Sequence, residues 1–126
     1  METIKALIAD DEGGTRHLLR SLLRQSNIEV VGEATNGVDT LGLCMKLQPN
    51  VLILDINMPK MNGFEVLKNI RSAHPGLAVI MISSDASLSN VKEACTYGVN
   101  NFLVKPFKAG QLIDAIKRSL KLAGHQ

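Results

Sequence analysis

Five short apolar runs alternate with five amphipathic segments along the chain, and this alternation restricts the fold more than any other feature. The third and fourth runs, VLIL and LAVIMI, are apolar almost without a break, as strands buried on both faces of a parallel sheet are. The five runs occupy residues 4–9, 28–34, 51–54, 77–82 and 100–104. This order predicts an α/β fold of five βα units, with a parallel sheet covered by helices on both faces.

The segments between the runs carry apolar residues at helical spacing, which predicts five helices. These residues are Leu18, Leu19, Leu22 and Leu23; Val38, Leu41 and Met45; Phe64, Leu67 and Ile70; Leu88, Val91 and Cys95; and Leu112, Ile113, Ile116 and Leu120. Ser87 or Ser89 is expected to cap the fourth helix. Gly13 and Gly14 favour a flexible loop and weaken the first turn of the first helix.

Length and composition indicate a single domain spanning residues 1–126. Apolar residues make up 45% of the chain and charged residues 21%, as in ordinary globular proteins. The formal net charge of +2 is too small to indicate nucleic-acid or membrane-surface binding. The start of the chain lacks a signal-peptide core, and no apolar stretch is long enough to cross a membrane. We therefore expect a cytoplasmic protein.

The two cysteines, Cys44 and Cys95, are far apart and lack the spacing of metal ligands. This pattern favours a reducing compartment. We expect both thiols to be buried on helix faces as small apolar side chains.

Polar residues follow four of the five predicted strands. Asp10 and Asp11 follow the first strand and Asp55 follows the third, while Ser83 follows the fourth and Lys105 the fifth. Ligands of open α/β sheets bind where the carboxyl ends of the strands meet. Each residue alone has an ordinary structural explanation, as a cap or a surface side chain, but together they predict a site.

The acids of this cluster would repel one another strongly unless a cation held them together. Two carboxylates about 4 Å apart repel by about 4 kcal/mol at an effective dielectric constant of about 20. Mg²⁺ suits such a site because it takes oxygen ligands and keeps several waters. A phosphoryl group that contacts the metal, Lys105 and Ser83 would explain the remaining polar residues.

These residues, with the segments LDINMP around Asp55 and FLVKPF around Lys105, resemble the receiver domain of two-component response regulators, the CheY-like family. The resemblance spans nearly the whole chain, from Ile4 to about Leu122. It implies a flavodoxin-like sheet of order 2-1-3-4-5. It also implies that Asp55 accepts a phosphoryl group from a sensor histidine kinase or a histidine phosphotransfer protein.

The resemblance further implies a role for each residue of the site. Asp10, Asp11, Asp55 and the backbone carbonyl of Asn57 would bind Mg²⁺. The switch hydroxyl would be Ser83, the phosphoryl-binding lysine Lys105, and the aromatic switch residue Phe102, which is tyrosine in many members. The Lys105–Pro106 bond is expected to be cis, and the side chains of Asn57 and Asp85 to influence how long the phosphate lasts. A downstream protein would bind the fourth helix, fifth strand and fifth helix, about residues 87–122.

Three other functions compete with this interpretation. A phosphatase of the haloacid-dehalogenase type needs a second acid two residues after the nucleophile, where this chain has Asn57. A flavodoxin-like cofactor binder fits poorly because only 3% of residues are aromatic and the loop after the first strand is acidic. A receiver-like docking module that is never phosphorylated remains the third alternative.

Overall fold

The computed structural model describes residues 3–122. Five strands alternate with five helices in this part of the chain. The strands are β1 (Lys5–Ala9), β2 (Glu29–Ala34), β3 (Val51–Asp55), β4 (Ala78–Ser83) and β5 (Asn101–Val104). The helices are α1 (Gly13–Gln25), α2 (Gly37–Leu47), α3 (Gly63–Ala73), α4 (Leu88–Thr96) and α5 (Ala109–Leu122).

The strands form one parallel sheet of order β2-β1-β3-β4-β5, which confirms the predicted fold and strand order. β3 and β4 are buried along their whole length. Each extends one residue beyond the predicted apolar run, so that Asp55 and Ser83 are the last residues of these strands. The strong apolar character of the central strands thus places two polar side chains at the edge of the sheet.

Alternate residues of the strands point to opposite faces, and each face has its own hydrophobic core. On one face the strands pack against α2, α3 and α4, with Leu52 and Leu54 among the strand residues. On the other face they pack against α1 and α5, with Val51 and Ile53. Helices therefore cover both faces, as the unbroken apolar runs of β3 and β4 predict.

Several residues of the predicted helical stripes are exposed instead of buried. They are Leu18, Val38, Met45 and Leu88. In α1 the side chains of Leu19 and Leu23 are buried in the core, and that of Leu22 is partly buried against it. The four leucines of α1 span a wider arc than the strip of the helix that contacts the sheet, so Leu18 lies outside that strip.

The prediction that both cysteines are buried is correct for Cys44 and wrong for Cys95. Cys95 is exposed because Ala94 is the residue of α4 that faces the core. Burial raises the pKa of the Cys44 thiol to about 12.

The helix starts agree with the sequence in part. Ser87 caps α4, since its hydroxyl accepts a hydrogen bond from the Asn90 N–H at 3.3 Å. α1 begins at Gly13, without a flexible loop there, although Glu12 before it makes no side-chain capping bond. Within residues 3–122, no helix has both the length and the apolar character needed to cross a membrane.

Candidate functional site

The carboxyl ends of four strands bring polar side chains together at one edge of the sheet. Asp55 ends β3 and Ser83 ends β4, while Asp10 directly follows β1 and Lys105 directly follows β5. Asp10, Asp55 and Ser83 are at most 4% exposed. Buried polar groups of this kind require partners, because their desolvation is costly. Because all four strands end at this edge of the parallel sheet, the predicted residues lie at one place.

Three carboxylates lie close together at this edge. One oxygen from each of Asp10, Asp11 and Asp55 lies within 4.8 Å of the others. Asp11 is exposed, so the cluster opens to solvent on one side. Three carboxylate oxygens with an open side fit Mg²⁺, which binds few carboxylates and keeps several waters. Asn57, the fourth predicted ligand, lies two residues beyond Asp55 and is exposed.

The ammonium group of Lys105 lies among these acids. Its Nζ donates a hydrogen bond to Asp10 Oδ2 at 3.0 Å and lies 3.5 Å from Asp55 Oδ1. Glu12 Oε1 is 3.6 Å away on the exposed side. Lys105 therefore offsets part of the negative charge of the cluster and is held more closely by Asp10 than by Asp55.

The pKa values of the two central groups respond to this environment. The pKa of Asp55 is raised from 3.8 to about 6, first by burial and then by the charge of Asp10, while Lys105 acts in the opposite direction. Burial lowers the pKa of Lys105, but the hydrogen bond to Asp10 and the charges of Asp55, Asp10 and Glu12 outweigh burial, so that its pKa is raised. The lysine is thus held as a cation, and Asp55 ionises at a higher pH than an exposed aspartate.

Asp10 is fixed through its backbone as well as its side chain. Its N–H donates to the Ala34 carbonyl at 3.1 Å, and its Oδ1 accepts a hydrogen bond from the Glu12 N–H at 2.9 Å. The Arg16 guanidinium donates to the Asp10 carbonyl at 2.9 Å and lies 3.4 Å from the Glu33 carboxylate. These contacts tie the loop after β1 to both β2 and α1.

The segment after Asp55 forms a closed loop that leads into α3. The Gly63 N–H donates to the Ile56 carbonyl at 2.7 Å and joins the two ends of this loop. The Met61 N–H donates to the Pro59 carbonyl at 2.8 Å, and Lys60 between them has a φ of 68°. This is a γ-turn, and a lysine in the left-handed region stores backbone strain. These hydrogen bonds and the turn at Lys60 define the path of the loop that carries Asn57.

Ser83 connects the site to the loop before α4. Its hydroxyl accepts a hydrogen bond from the Asp85 N–H at 3.0 Å, and the Asp85 carboxylate accepts one from the Ser87 N–H at 2.9 Å. The Ser83 carbonyl accepts a hydrogen bond from the Lys105 N–H at 2.8 Å. Asp85 itself is exposed, and its carboxylate bonds within this loop.

Two further predicted residues flank Lys105. The bond between Lys105 and Pro106, for which the resemblance implies the cis form, is cis. Phe102 is partly buried and packs against the core that α2, α3 and α4 cover. The ring is thus on the opposite side of the sheet from α1 and α5.

The sequence assigned no role to two residues of this site: Glu12, which belongs to the acidic run after the first strand, and Arg16. Glu12 is the third acid in the run after β1, and its approach to Lys105 depends on the conformation of the loop. Arg16 carries no distinguishing motif, because its partners Asp10 and Glu33 come from other elements. The only sequence signal for either was the density of charge near Asp10.

The sheet order and the acidic edge define an α/β domain of the flavodoxin-like class with a polar site at the carboxyl ends of its strands. A solved CheY-like receiver domain from Methanospirillum hungatei is similar to this chain, with a TM-score of 0.90 at 26% identity and 98% of each chain covered. A chain of the solved CheX-CheY-BeF₃-Mg²⁺ complex from Borrelia burgdorferi gives a TM-score of 0.86 at 27% identity. That likeness covers 90% of this chain and 86% of the other.

Sequence comparison gives the family. The family model described as the response regulator receiver domain matches residues 6–117. The chemotaxis protein CheY of Listeria monocytogenes is 35% identical over 118 residues, which cover 94% of this chain and 99% of the relative. The chain belongs to the response regulator receiver domain family. It is a CheY-like domain, of the class of signalling switches in two-component systems.

Proposed function

We propose that the protein is a signalling switch in which Asp55 accepts a phosphoryl group from a phosphohistidine of a sensor histidine kinase or a histidine phosphotransfer protein. The observation that carries this proposal is the position of Asp55, at the buried end of β3 with Lys105 Nζ at 3.5 Å and the Asp10 and Asp11 carboxylates within 4.8 Å. A carboxylate nucleophile beside a fixed cation and a metal-type acid cluster is what phosphoryl transfer needs.

Asp10, Asp11, Asp55 and the backbone carbonyl of Asn57 would hold Mg²⁺. The three carboxylates support this assignment by their mutual distances. Mg²⁺ at such a site supplies positive charge that balances the carboxylates and the oxygens of a phosphoryl group. Lys105, in comparison with Mg²⁺, provides a single positive charge on one ammonium group.

The transfer forms one bond and breaks another. A carboxylate oxygen of Asp55 bonds to phosphorus, and the bond between phosphorus and the histidine nitrogen breaks. The nitrogen keeps the electron pair and takes up a proton from solvent. Asp55 must be ionised to attack, and its pKa of about 6 leaves it mainly ionised at neutral pH. Lys105 hydrogen bonds to the phosphoryl oxygens and stabilises their charge. In this proposal the domain catalyses only its own phosphorylation and dephosphorylation.

Phosphorylation then changes the surroundings of Ser83 and Lys105. We expect both side chains to turn towards the new phosphoryl oxygens, so that the loops after β4 and β5 move and Phe102 turns inward. A shift from a mostly inactive to a mostly active population takes about 5.5 kcal/mol. Two or three charge-assisted hydrogen bonds of about 1.5–3 kcal/mol each can supply this free energy.

The output surface in this proposal is the face formed by α4, β5 and α5, about residues 87–122. The exposed apolar side chains of Leu88 and Val104 on this face support a protein partner, because apolar contact is typical of interface cores. The similar Borrelia burgdorferi CheY is solved in complex with CheX, which supports a protein as the target. The proposal includes no nucleic acid and no membrane, and it places the protein in the cytoplasm.

Intact mass spectrometry tests the proposal. The protein is incubated with acetyl phosphate, with Mg²⁺ or with EDTA, beside the variants Asp55→Asn and Asp114→Asn. Asp114 is exposed on α5 and serves as the control. We expect one phosphoryl group to be gained only with Mg²⁺, in the wild type and in Asp114→Asn. If the wild type gains none, the phosphorylation proposal fails and the docking module takes its place.

A further inference from the structure

The first turn of α2 touches the backbone of the loop that follows Asp55. A Cβ atom added at Gly37 would lie 2.0 Å from the Met61 carbonyl oxygen and 2.5 Å from Met61 Cβ. The Gly37 N–H points at the same loop and donates to the Pro59 carbonyl at 3.4 Å. Only glycine permits this approach, because any larger residue would displace backbone and not merely a flexible side chain.

The same loop is also packed closely at its other end. A Cβ at Gly63 would lie 2.4 Å from the Asp55 carbonyl oxygen and 2.9 Å from Ile56 Cα. Between the two contacts lies the strained turn at Lys60. Strained backbone persists only where its surroundings hold it in place. The two glycine contacts, one from α2 and one from α3, provide that support.

We propose that Gly37 is a positioning residue for the metal site, a role that rests on the function proposed above. By allowing α2 to touch the Pro59–Met61 turn, Gly37 fixes the loop that carries Asn57, whose backbone carbonyl is one of the proposed Mg²⁺ ligands. Gly37 binds no ligand itself. Its effect passes through backbone contacts alone, so it acts on the position of a ligand and not on its charge.

Helix propensity alone predicts the opposite effect of substitution. Glycine is less favourable than alanine inside a helix, so a change to alanine should stabilise α2. Gly42 lies in the same helix, and a Cβ there would have no described atom within 4 Å. Gly42→Ala therefore measures the effect of propensity, and the difference between the two variants measures the contact with the loop.

The test is the Mg²⁺ dissociation constant of wild type, Gly37→Ala and Gly42→Ala, measured by isothermal titration calorimetry beside the thermal midpoint of each. Calorimetry is suitable because the chain has no tryptophan to report binding. We expect the dissociation constant of Gly37→Ala to rise by about tenfold to a hundredfold, the usual effect of losing outer support of a metal ligand. Gly42→Ala should bind as the wild type does and melt at a higher temperature.

A structural role alone would lower the thermal midpoint of Gly37→Ala and leave its Mg²⁺ affinity unchanged, and this result would overturn the inference. If Gly37→Ala does not fold, the amide resonances of the wild-type protein test the inference instead. On titration with Mg²⁺, the Gly37 amide resonance should shift while that of Gly42 stays in place, and an unshifted Gly37 resonance overturns the inference. Failure of the proposed function is a separate result, since the wild type itself would then bind no Mg²⁺ or gain no phosphoryl group.

Discussion

Lys105 Nζ lies 3.0 Å from Asp10 Oδ2 and 3.5 Å from Asp55 Oδ1, so the lysine pairs with the fully buried acid in preference to the proposed phosphoacceptor. Its ammonium group thus occupies the space between the two acids that would ligate a metal. The lysine serves as the internal counterion of the cluster. If the Lys105 ammonium group moved to a phosphoryl oxygen on Asp55, the Asp10 carboxylate would need another cation as its partner.

The first prediction concerns this counterion. Lys105→Met should lower the free energy of unfolding in EDTA by about 1–3 kcal/mol, because the Oδ2 atom of the buried Asp10 carboxylate loses its donor. Mg²⁺ should stabilise this variant more than the wild type, since no lysine then competes for Asp10. Urea unfolding with and without Mg²⁺ measures both effects. Lys108→Met, at an exposed lysine of the same loop between β5 and α5, is the control, and equal stability of both variants in EDTA would contradict the prediction.

The second prediction concerns pH. The pKa of Asp55 in the folded protein is about 6, above the ordinary 3.8, so the folded state binds this proton more tightly than the unfolded state. Stability in EDTA should therefore fall as the pH rises from about 4 to about 6, by about 3 kcal/mol at most. Asp55→Asn should remove this fall and be the more stable protein at neutral pH.

Chemical denaturation in EDTA across this pH range gives the free energy of unfolding and tests the prediction. Asp114→Asn is the control, because its side chain is exposed on α5. The wild type and Asp55→Asn should converge only at a pH well below 3.8, where Asp55 is protonated in both the folded and the unfolded state. An Asp55→Asn protein that is less stable than the wild type at neutral pH would contradict the assigned cause, burial of the carboxylate.

The third prediction concerns the thiols. Cys95 is exposed, while burial raises the pKa of Cys44 to about 12. A disulfide reagent should therefore modify one thiol of the native protein, and the second only after denaturation, because the thiolate is the reactive form. Cys95→Ser should abolish the native reaction. Equal rates for both thiols in the native wild type would show that α2 opens readily.

The fourth prediction separates phosphorylation from its structural response. Ser83→Ala removes the hydroxyl that accepts the Asp85 N–H but leaves Asp55 and its neighbours in place. This variant should still gain a phosphoryl group, whereas the phosphorylation-dependent shifts of the Asp85 and Phe102 amide resonances should be reduced. Ser84→Ala, at the exposed neighbouring position, should respond as the wild type does. If Ser83→Ala shows the same phosphorylation-dependent resonance shifts as the wild type, Ser83 has no role in the switch.

The fold and most of the site were predictable because a short-range pattern determines them. The apolar runs of β3 and β4 fix the sheet, and parallel strands bring the residues at their carboxyl ends together. Asp10, Asp55, Ser83 and Lys105 could therefore be placed at one edge from their position after each run.

Features that depend on contacts between distant elements were not predictable. The exposure of Cys95 depends on how α4 is rotated against the sheet, and an apolar stripe does not fix that rotation. The preference of Lys105 for Asp10 depends on distances that differ by half an ångström. The role of Gly37 depends on the approach of α2 to Met61, residues that share no sequence signal.

The central claim is that Asp55 carries the phosphoryl group, and trapping the acyl phosphate tests it most directly. After incubation with acetyl phosphate and Mg²⁺, borohydride reduces an aspartyl phosphate to a homoserine, which peptide mass spectrometry can locate. We predict the reduction product at position 55 alone, and none in EDTA. A product at Asp10 or Asp11, or a phosphoryl group that is gained but resists borohydride, would contradict the account.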